Sequence, residues 1–215
     1  DKIQLWSVYL ANAACVLLGI LAGAAFTALI QSSSASAGIL QALANSGVIG
    51  LGSAVYVLFG QNIGTCITAV LASVGTGRNA KRTTIIHLMF NIIGTVLFTI
   101  LCILFPLADL VASFTPDAPA AQIANMHTIF NIVTTLLLLP LGNQLASLAV
   151  RILPEQPEEQ VQQAYDAYNA GASMVHIHRR DPQNPMKMSY KWEEFAEVNA
   201  MVREKCPDLI INNTC

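Results

Sequence analysis

The sequence predicts a mainly α protein. Polytopic membrane helices, with one re-entrant hairpin and one broken helix, are followed by a short α/β segment that reads as a partial TIM-barrel-like piece. Three observations carry this. The 215 residues are 54% hydrophobic and only 11% charged. The charge is unevenly spread: residues 1–153 hold five basic and three acidic side chains, whereas residues 154–215 hold six and ten. Against a usual charged fraction of about 25%, the first part matches a lipid-embedded chain and the second a water-soluble one. The apolar stretches of the first part are long enough to cross a hydrocarbon core of roughly 30 Å.

The elements follow in order. Leu5 to Leu29 is apolar and uncharged, and reads as a span. After it comes "QSSSASAGILQALANSG", rich in small residues, with a turn at Asn45 to Gly47. Two short arms around a serine cluster predict a re-entrant hairpin, tolerated at membrane depth only where protein or a cavity surrounds it. Val48 to Val74 is apolar again but interrupted by "GQNIGT", Gly60 to Thr65. Two glycines around Gln61 and Asn62 predict a helix unwound at its centre. Gly75 to Arg82 is the basic cluster, and such clusters mark the cytoplasmic side. Thr83 to Phe105 reads as a span, and Pro106 to Gln122 as a polar loop carrying Asp109 and Asp117. Ile123 to Val150 reads as the last span, kinked at Pro140. Lys2, Arg78 to Arg82 and Arg151 are then expected inside and the Asp-bearing loop outside. The fragments "HLMFN" and "HTIFN" repeat H-x-x-F-N, which sets His and Asn on one helix face twice.

The net charge of −2 and the lack of a basic stripe argue against a nucleic-acid partner. Cys15, Cys66, Cys102, Cys206 and Cys215 show no CxxC spacing, so no disulfide framework or thiolate metal site is predicted. Asp1 stands first, without a recognisable n-region or cleavage site, and no signal peptide is expected.

Gln31, Ser32, Ser33 and Ser34 admit two readings. Small residues let membrane helices approach, and serines bond back to the backbone. Three serines after a glutamine, beside a glycine-flanked Asn62 and Thr65, equally suit a sodium ion held by neutral oxygens and an oxyanion held by hydroxyl and amide donors. Gln61 carries the same pair of readings. His87, His127 and Cys66 are read as packing.

"TALIQSSSASAGI", "GQNIGTCITA", "RNAKR" and "HLMFN" together resemble the bacterial sodium-dependent phosphate cotransporters, related to the animal type II sodium–phosphate cotransporters. The resemblance covers Asp1 to Leu153. It implies that QSSS occurs twice, in inverted repeats that jointly form a phosphate and sodium site. It also implies that this chain holds the second repeat alone. Gln31, Ser32, Ser33, Ser34, Asn62 and Thr65 are the binding residues it implies. An inverted repeat on another polypeptide, or a homodimer partner, would complete the site. The implied setting is the cytoplasmic (inner) membrane, multi-pass, with the chain from Arg151 on the cytoplasmic side.

Residues 154–156 read as a junction. "PEEQVQQAYDAYNAGA" has a proline start, early acids and a glycine stop, the signature of a helix. "SMVHIH" reads as a strand, "RRDPQNPMKMS" as a loop, "YKWEEFAEVNAMVREKC" as a second helix and "LIINNTC" as a strand. The α-β-α-β order with strands apolar on both faces predicts parallel pairing and exposed edges prone to aggregation. His176 and His178 point the same way from one strand and form a metal fragment, although two ligands do not make a zinc site. "AYDAYNAGASMVHIHRRDP" and "CPDLIINNTC" resemble the beta-keto acid cleavage enzymes, zinc-dependent (β/α)8 barrels, over residues 157–215. The resemblance implies zinc at His176 and His178, completed by a later glutamate that this chain lacks.

Three functions are consistent with the sequence. The first is sodium-dependent phosphate symport by a half-transporter, with no enzyme activity of the whole chain. The second is a fragment of a zinc-dependent cleavage enzyme. The third is a fusion of two partial genes with neither activity.

Overall fold

The structure is a computed structural model. It describes residues 2–154, 156–179, 181 and 187–213, with side chains from residue 7 onward apart from residue 8. The side chain of Lys2, the junction residue Glu155, Arg180 and most of the expected loop that follows it, and Thr214 and Cys215 lie outside the described residues. The chain divides into two compact units.

The first unit comprises Asp1–Thr76 and Thr83–Gly142. Its helices are α1 (Lys2–Ile30), α2 (Ser33–Asn45), α3 (Leu51–Ala72), α4 (Arg78–Leu104), α5 (Leu107–Ala112) and α6 (Pro119–Leu138). A 3-10 turn, Leu139–Leu141, links α6 to α7 (Gly142–Ile152). Among the described residues, four stretches are long and apolar enough to cross a membrane: Tyr9–Ile30, Leu51–Ala72, Arg78–Leu104 and Pro119–Ile152. Half of the α3 window is buried, against 11% for α1, so α3 is the central helix and α1 a peripheral one.

The packing of α3 corrects the expected broken helix. α3 runs unbroken through "GQNIGT". The glycines serve contact, not unwinding: a Cβ on Gly60 would fall on the Ile20 carbonyl, one on Gly64 on the Ala24 carbonyl, and one on Gly23 on the Val57 carbonyl. Both helices carry glycines four residues apart, Gly19 and Gly23 on α1 and Gly60 and Gly64 on α3. This is the small-residue spacing that lets membrane helices meet backbone to backbone.

The same contacts fix direction. Gly19 meets Tyr56, Gly23 meets Val57, and Gly64 meets Thr27, so α1 and α3 run parallel. The start of α1 therefore lies at the same end of the unit as the start of α3. The sequence expectation puts Lys2 with the basic cluster, at the far end of α3. The parallel packing reverses that assignment.

The interruption in the backbone falls instead between α1 and α2. Gln31 has φ +58°, the one positive φ outside glycine among the described residues. The chain turns back there, and Thr27 Oγ1 and Ser36 Oγ close a 2.6 Å hydrogen bond across the tip. The hairpin is thus made of α1 and α2. With 13 residues, α2 is about 20 Å long, too short to cross a bilayer core. Its far end meets the start of α6 through Ala120 N–H donating to Asn45 Oδ1 at 3.1 Å.

Phe59, Phe98 and Phe130 fill the core where α3, α4 and α6 meet, with ring centroids 4.9 to 5.8 Å apart. α4 runs antiparallel to α3, since Thr95 Oγ1 donates to Phe59 O and Asn91 Nδ2 to Cys66 Sγ. Pro140 interrupts the last apolar stretch as expected, through the 3-10 turn. The expected polar loop is partly helical. It contains α5, and α6 starts at Pro119 rather than Ile123 because proline suits the first helical position.

The second unit comprises Gly77–Arg82 and Asn143–Cys215. It holds α7, α8 (Pro157–Asn169), β1 (Met174–Ile177), α9 (Trp192–Lys205) and β2 (Ile210–Asn213). α8 opens on Pro157 with Glu158 and Glu159 in its first turn; α9 opens on Glu193 and Glu194 and closes on Arg203 and Lys205. Acids at the start of both helices, and bases at the end of α9, favour the helix dipole. The strands pair in parallel, with Met174 opposite Ile210 and Ile177 opposite Asn213. Ile177, Val161, Val198 and Val202 form the core between the sheet and the two helices. The other face of the sheet is uncovered: Met174 and Ile210 are 54% and 55% exposed. The apolar residues expected on both faces are there, with a helical layer on one face only.

Gly171, at φ +95°, ends α8 by donating its N–H to Tyr168 O in the last turn, at 2.9 Å. Gly171→Ala should destabilise this unit by about 1–2 kcal/mol, the cost of an L residue in left-handed backbone. Hydrogen exchange of the β1 amides in the full chain should speed up accordingly. Unchanged exchange would show that the turn relaxes without strain.

Candidate functional site

The tip of the α1–α2 hairpin gathers the first group of expected residues. Gln31, Ser33 and Ser34 are exposed and Ser32 is half-buried. Ser32 caps α2, accepting from Ala35 N–H at 3.3 Å, and its hydroxyl lies 3.4 Å from that of Ser34. The first amides of a helix have no carbonyl partner within the helix, and its N-terminus carries partial positive charge. The tip therefore offers hydroxyls and backbone N–H groups, with no charged side chain in the QSSS stretch.

Beneath the tip a neutral polar network runs through the first unit. Gln61, only 4% exposed, donates from Nε2 to Ser36 O at 3.1 Å, which ties α3 to α2 just past the tip. Gln61 Oε1 is buried and finds no hydrogen-bond partner among the described residues. Thr65 Oγ1 donates to Gln61 O at 2.9 Å, a bond within α3. Asn62 donates to Leu58 O at 3.2 Å, and its Oδ1 lies 3.0 Å from His127 Nε2 on α6. Cys66 reaches His87 O at 3.8 Å and Asn91 at 3.4 Å on α4.

The structure thus ties Gln61 to Ser36 on α2, two residues past the QSSS stretch. Asn62 lies one residue further along α3 and faces α6. Thr65 is half-buried and bonded within its own helix. His127, which the sequence reads as packing, is the residue that sequence reasoning misses. The signal lies in the repeated H-x-x-F-N. The repeat does produce equivalent local bonds, Asn91 to His87 O at 3.0 Å and Asn131 to His127 O at 2.9 Å. The two copies then diverge, since Asn91 is buried and Asn131 exposed.

In the second unit, His176 on β1 and His178, the residue just past its end, are exposed, with ring centroids 4.4 Å apart. They line a cleft of about 350 Å³ together with Gln160 and Gln163. Gln160 Nε2 donates to His178 O at 2.8 Å and so fixes the cleft's edge. A zinc site needs at least three protein ligands. No cluster of three His, Cys, Asp or Glu occurs among the described residues. The two imidazoles are a partial donor set, and the residues present do not fit a complete zinc centre.

The sequence profile of the Na+/Pi-cotransporter family matches residues 8–138, and that of the beta-keto acid cleavage enzymes matches residues 140–215. The chain is thus built of two unrelated parts. The uncharacterized protein YqeW of Bacillus subtilis (strain 168) is 44% identical over 135 residues, 63% of this chain and 43% of its own length. The putative inorganic phosphate export protein YjbB of Salmonella typhimurium is 28% identical over 144 residues, 66% of this chain and 26% of its own length. The sodium-dependent phosphate transport protein 2C of Mus musculus is 35% identical over 132 residues, 58% and 21% respectively. The chain spans less than half the length of each of these relatives. No solved structure matches it significantly.

Proposed function

This chain belongs to the Na+/Pi-cotransporter family through residues 8–138, and from that premise we propose that it is one half of a sodium-coupled phosphate symporter of the cytoplasmic membrane. The hairpin tip carries the reading. Phosphate would be held at Ser32, Ser33 and Ser34 by hydroxyls and the free amides of α2, and by Gln31. Sodium, the co-transported substrate, would be held by neutral oxygens, for which Asn62 and Thr65 are the candidates. Helix-end amides aimed at an anion and uncharged oxygens aimed at a cation are the usual division of labour in transporters of broken-helix design.

Gln31, Ser33 and Ser34 face out of the unit, which supports a site completed by a second polypeptide, either an inverted repeat or another copy of this chain. The transporter part is read as residues 1–153, the junction as 154–156 and the enzyme-like tail as 157–215. The end of α7 at Ile152 and the proline start of α8 at Pro157 support those limits. The positive-inside tendency of Arg78, Lys81, Arg82 and Arg151 supports reading their side as the cytoplasmic one. The chain as a whole is read as a transporter and not an enzyme. The His176–His178 cleft favours, as a second reading, a zinc-binding remnant without catalysis.

Proteoliposomes of the purified chain test the proposal. An imposed sodium gradient should drive labelled phosphate across the membrane, and an equal potassium gradient should not. Efflux is measured beside uptake, because one relative is named for export. No flux in either direction, beside a working full-length family member, would sink transport by this chain alone.

A further inference from the structure

The two copies of H-x-x-F-N end differently. Asn91 on α4 is buried against Cys66, whereas Asn131 on α6 is exposed. Asn131 Nδ2 donates to His127 O, which leaves Oδ1 and the second amide hydrogen for a partner outside the helix. Thr128 and Thr135, also exposed, stand at helical spacing on either side of it, so the three form one polar stripe of α6. Ile132 and Leu136, 54% and 65% exposed, make the neighbouring stripe apolar. On α1, by contrast, no side chain exposed between Ala13 and Ile30 carries a hydroxyl, an amide or a charge.

A threonine can satisfy its hydroxyl within its own helix, and Thr128 does so by donating to Ala124 O at 2.9 Å. An asparagine amide has more hydrogen-bonding places than one such bond fills, and lipid tails fill none of them. Asn131 therefore marks a side of α6 that does not face hydrocarbon.

Two contacts set its depth within the first unit. Ala120, at the start of α6, bonds Asn45 at the end of α2. Further along α6, His127 meets Asn62, whose neighbour Gln61 bonds Ser36 near the start of α2. α6 and α2 thus run antiparallel. At a rise of about 1.5 Å per residue, Asn131 lies about 6 Å beyond His127, and Ser33 about 4.5 Å beyond Ser36. Asn131 is level with the hairpin tip.

We propose that the stripe of Thr128, Asn131 and Thr135 lines the water-filled route by which phosphate and sodium reach or leave the hairpin tip, with Asn131 the hydrogen-bonding residue level with that tip. The proposal rests on the transporter reading of the tip and adds a wall of its path that lies outside the QSSS and GQNIGT stretches. The stripe carries no charge. Hydroxyls and an amide replace part of an ion's hydration shell without trapping the ion, which suits passage better than tight binding.

Cysteine accessibility tests it. Thr128→Cys, Asn131→Cys and Thr135→Cys, with Ile132→Cys and Leu136→Cys as neighbours, are made singly in the full chain and reconstituted in proteoliposomes. A charged, water-soluble thiol reagent is introduced on both sides of the membrane. Modification is read position by position by peptide mass spectrometry, so the native cysteines stay in place. The three stripe positions keep the test open should one variant fail to insert. Cysteines on the stripe should react at least about tenfold faster than those at 132 and 136, because the reactive thiolate forms in water and not in lipid. Sodium phosphate, but not potassium chloride, should slow the reaction at 128 and 131 severalfold. Reaction on the stripe no faster than at 132 and 136 would overturn the proposal, since lipid or protein would then cover this face. Fast reaction that sodium phosphate does not slow, with phosphate flux in the parent chain, would also overturn it and leave a hydrated crevice off the route. The same result without flux in the parent would overturn the transporter reading itself, and this proposal with it.

Discussion

Gly60→Leu should abolish the folded state of the membrane part. A Cβ at this position already lands on the Ile20 carbonyl, and the next nearest atoms are the Ile20 carbonyl carbon and the Ala24 amide nitrogen. All three are backbone atoms of α1, so no side-chain rotation relieves the clash. α1 must move away from α3, and with it go the matching approaches at Gly23 and Gly64. Overpacking of a core typically costs about 1–3 kcal/mol, where side chains can yield. Here they cannot, and a cost of about 3 kcal/mol or more is expected. Gly60→Ala should show most of the effect, because the first carbon makes the collision. Gly38, in the interior of α2, meets nothing within 4 Å, and Gly38→Ala should be neutral or stabilising by up to about 1 kcal/mol. Thermal unfolding of the detergent-solubilised chain, followed by loss of the monodisperse species, measures all three. A Gly60→Ala variant as stable as the parent would show that α1 and α3 do not meet in this way.

That contrast explains what the sequence makes legible and what it does not. Charge and hydropathy locate the four apolar stretches, because excluding charge from lipid is the largest local energy at stake. The 3-10 turn at Pro140 and the termination of α8 at Gly171 are legible because each residue acts on its own backbone. The glycines of "GQNIGT" mislead because glycine has two uses in a membrane helix. It can unwind the helix or admit a neighbour, and the choice depends on what stands opposite. Gly19 and Gly23 on α1, at the same spacing, hold the missing information. The true interruption, at Gln31, has no glycine or proline to mark it. The side of Lys2 is misassigned for a related reason. Charge counting orders the ends of a chain only once the direction of each helix is known, and the parallel run of α1 and α3 is a tertiary fact. In the candidate site, the residue types are legible and the pairings are not. Asn62 meets His127 across 65 residues of sequence, and nothing local announces that bond.

Gln31→Gly should leave the fold intact and weaken the proposed phosphate transport. Gln31 holds φ +58°, where an L residue costs about 1–2 kcal/mol and glycine costs nothing. Glycine's greater freedom in the unfolded chain offsets about 0.5–1 kcal/mol of that difference. The variant should therefore be as stable as the parent, or more stable by up to about 1 kcal/mol. A turn that needed only to reverse the chain would be better served by glycine. A backbone outlier retained at local cost is a reason to look for function in its side chain. If the Gln31 amide holds the anion at the tip, its loss removes a hydrogen bond to a charged group, about 1.5–3 kcal/mol. That corresponds to roughly ten- to a hundredfold weaker phosphate binding. Sodium-driven phosphate flux should fall by that factor at low phosphate and recover partly at high phosphate. Gln31→Asn should be intermediate, since asparagine tolerates the same backbone and keeps a shorter amide. Flux and stability falling together would make Gln31 a structural residue. Full flux in the glycine variant would remove it from the site and leave the serines and the α2 amides to hold the anion without it.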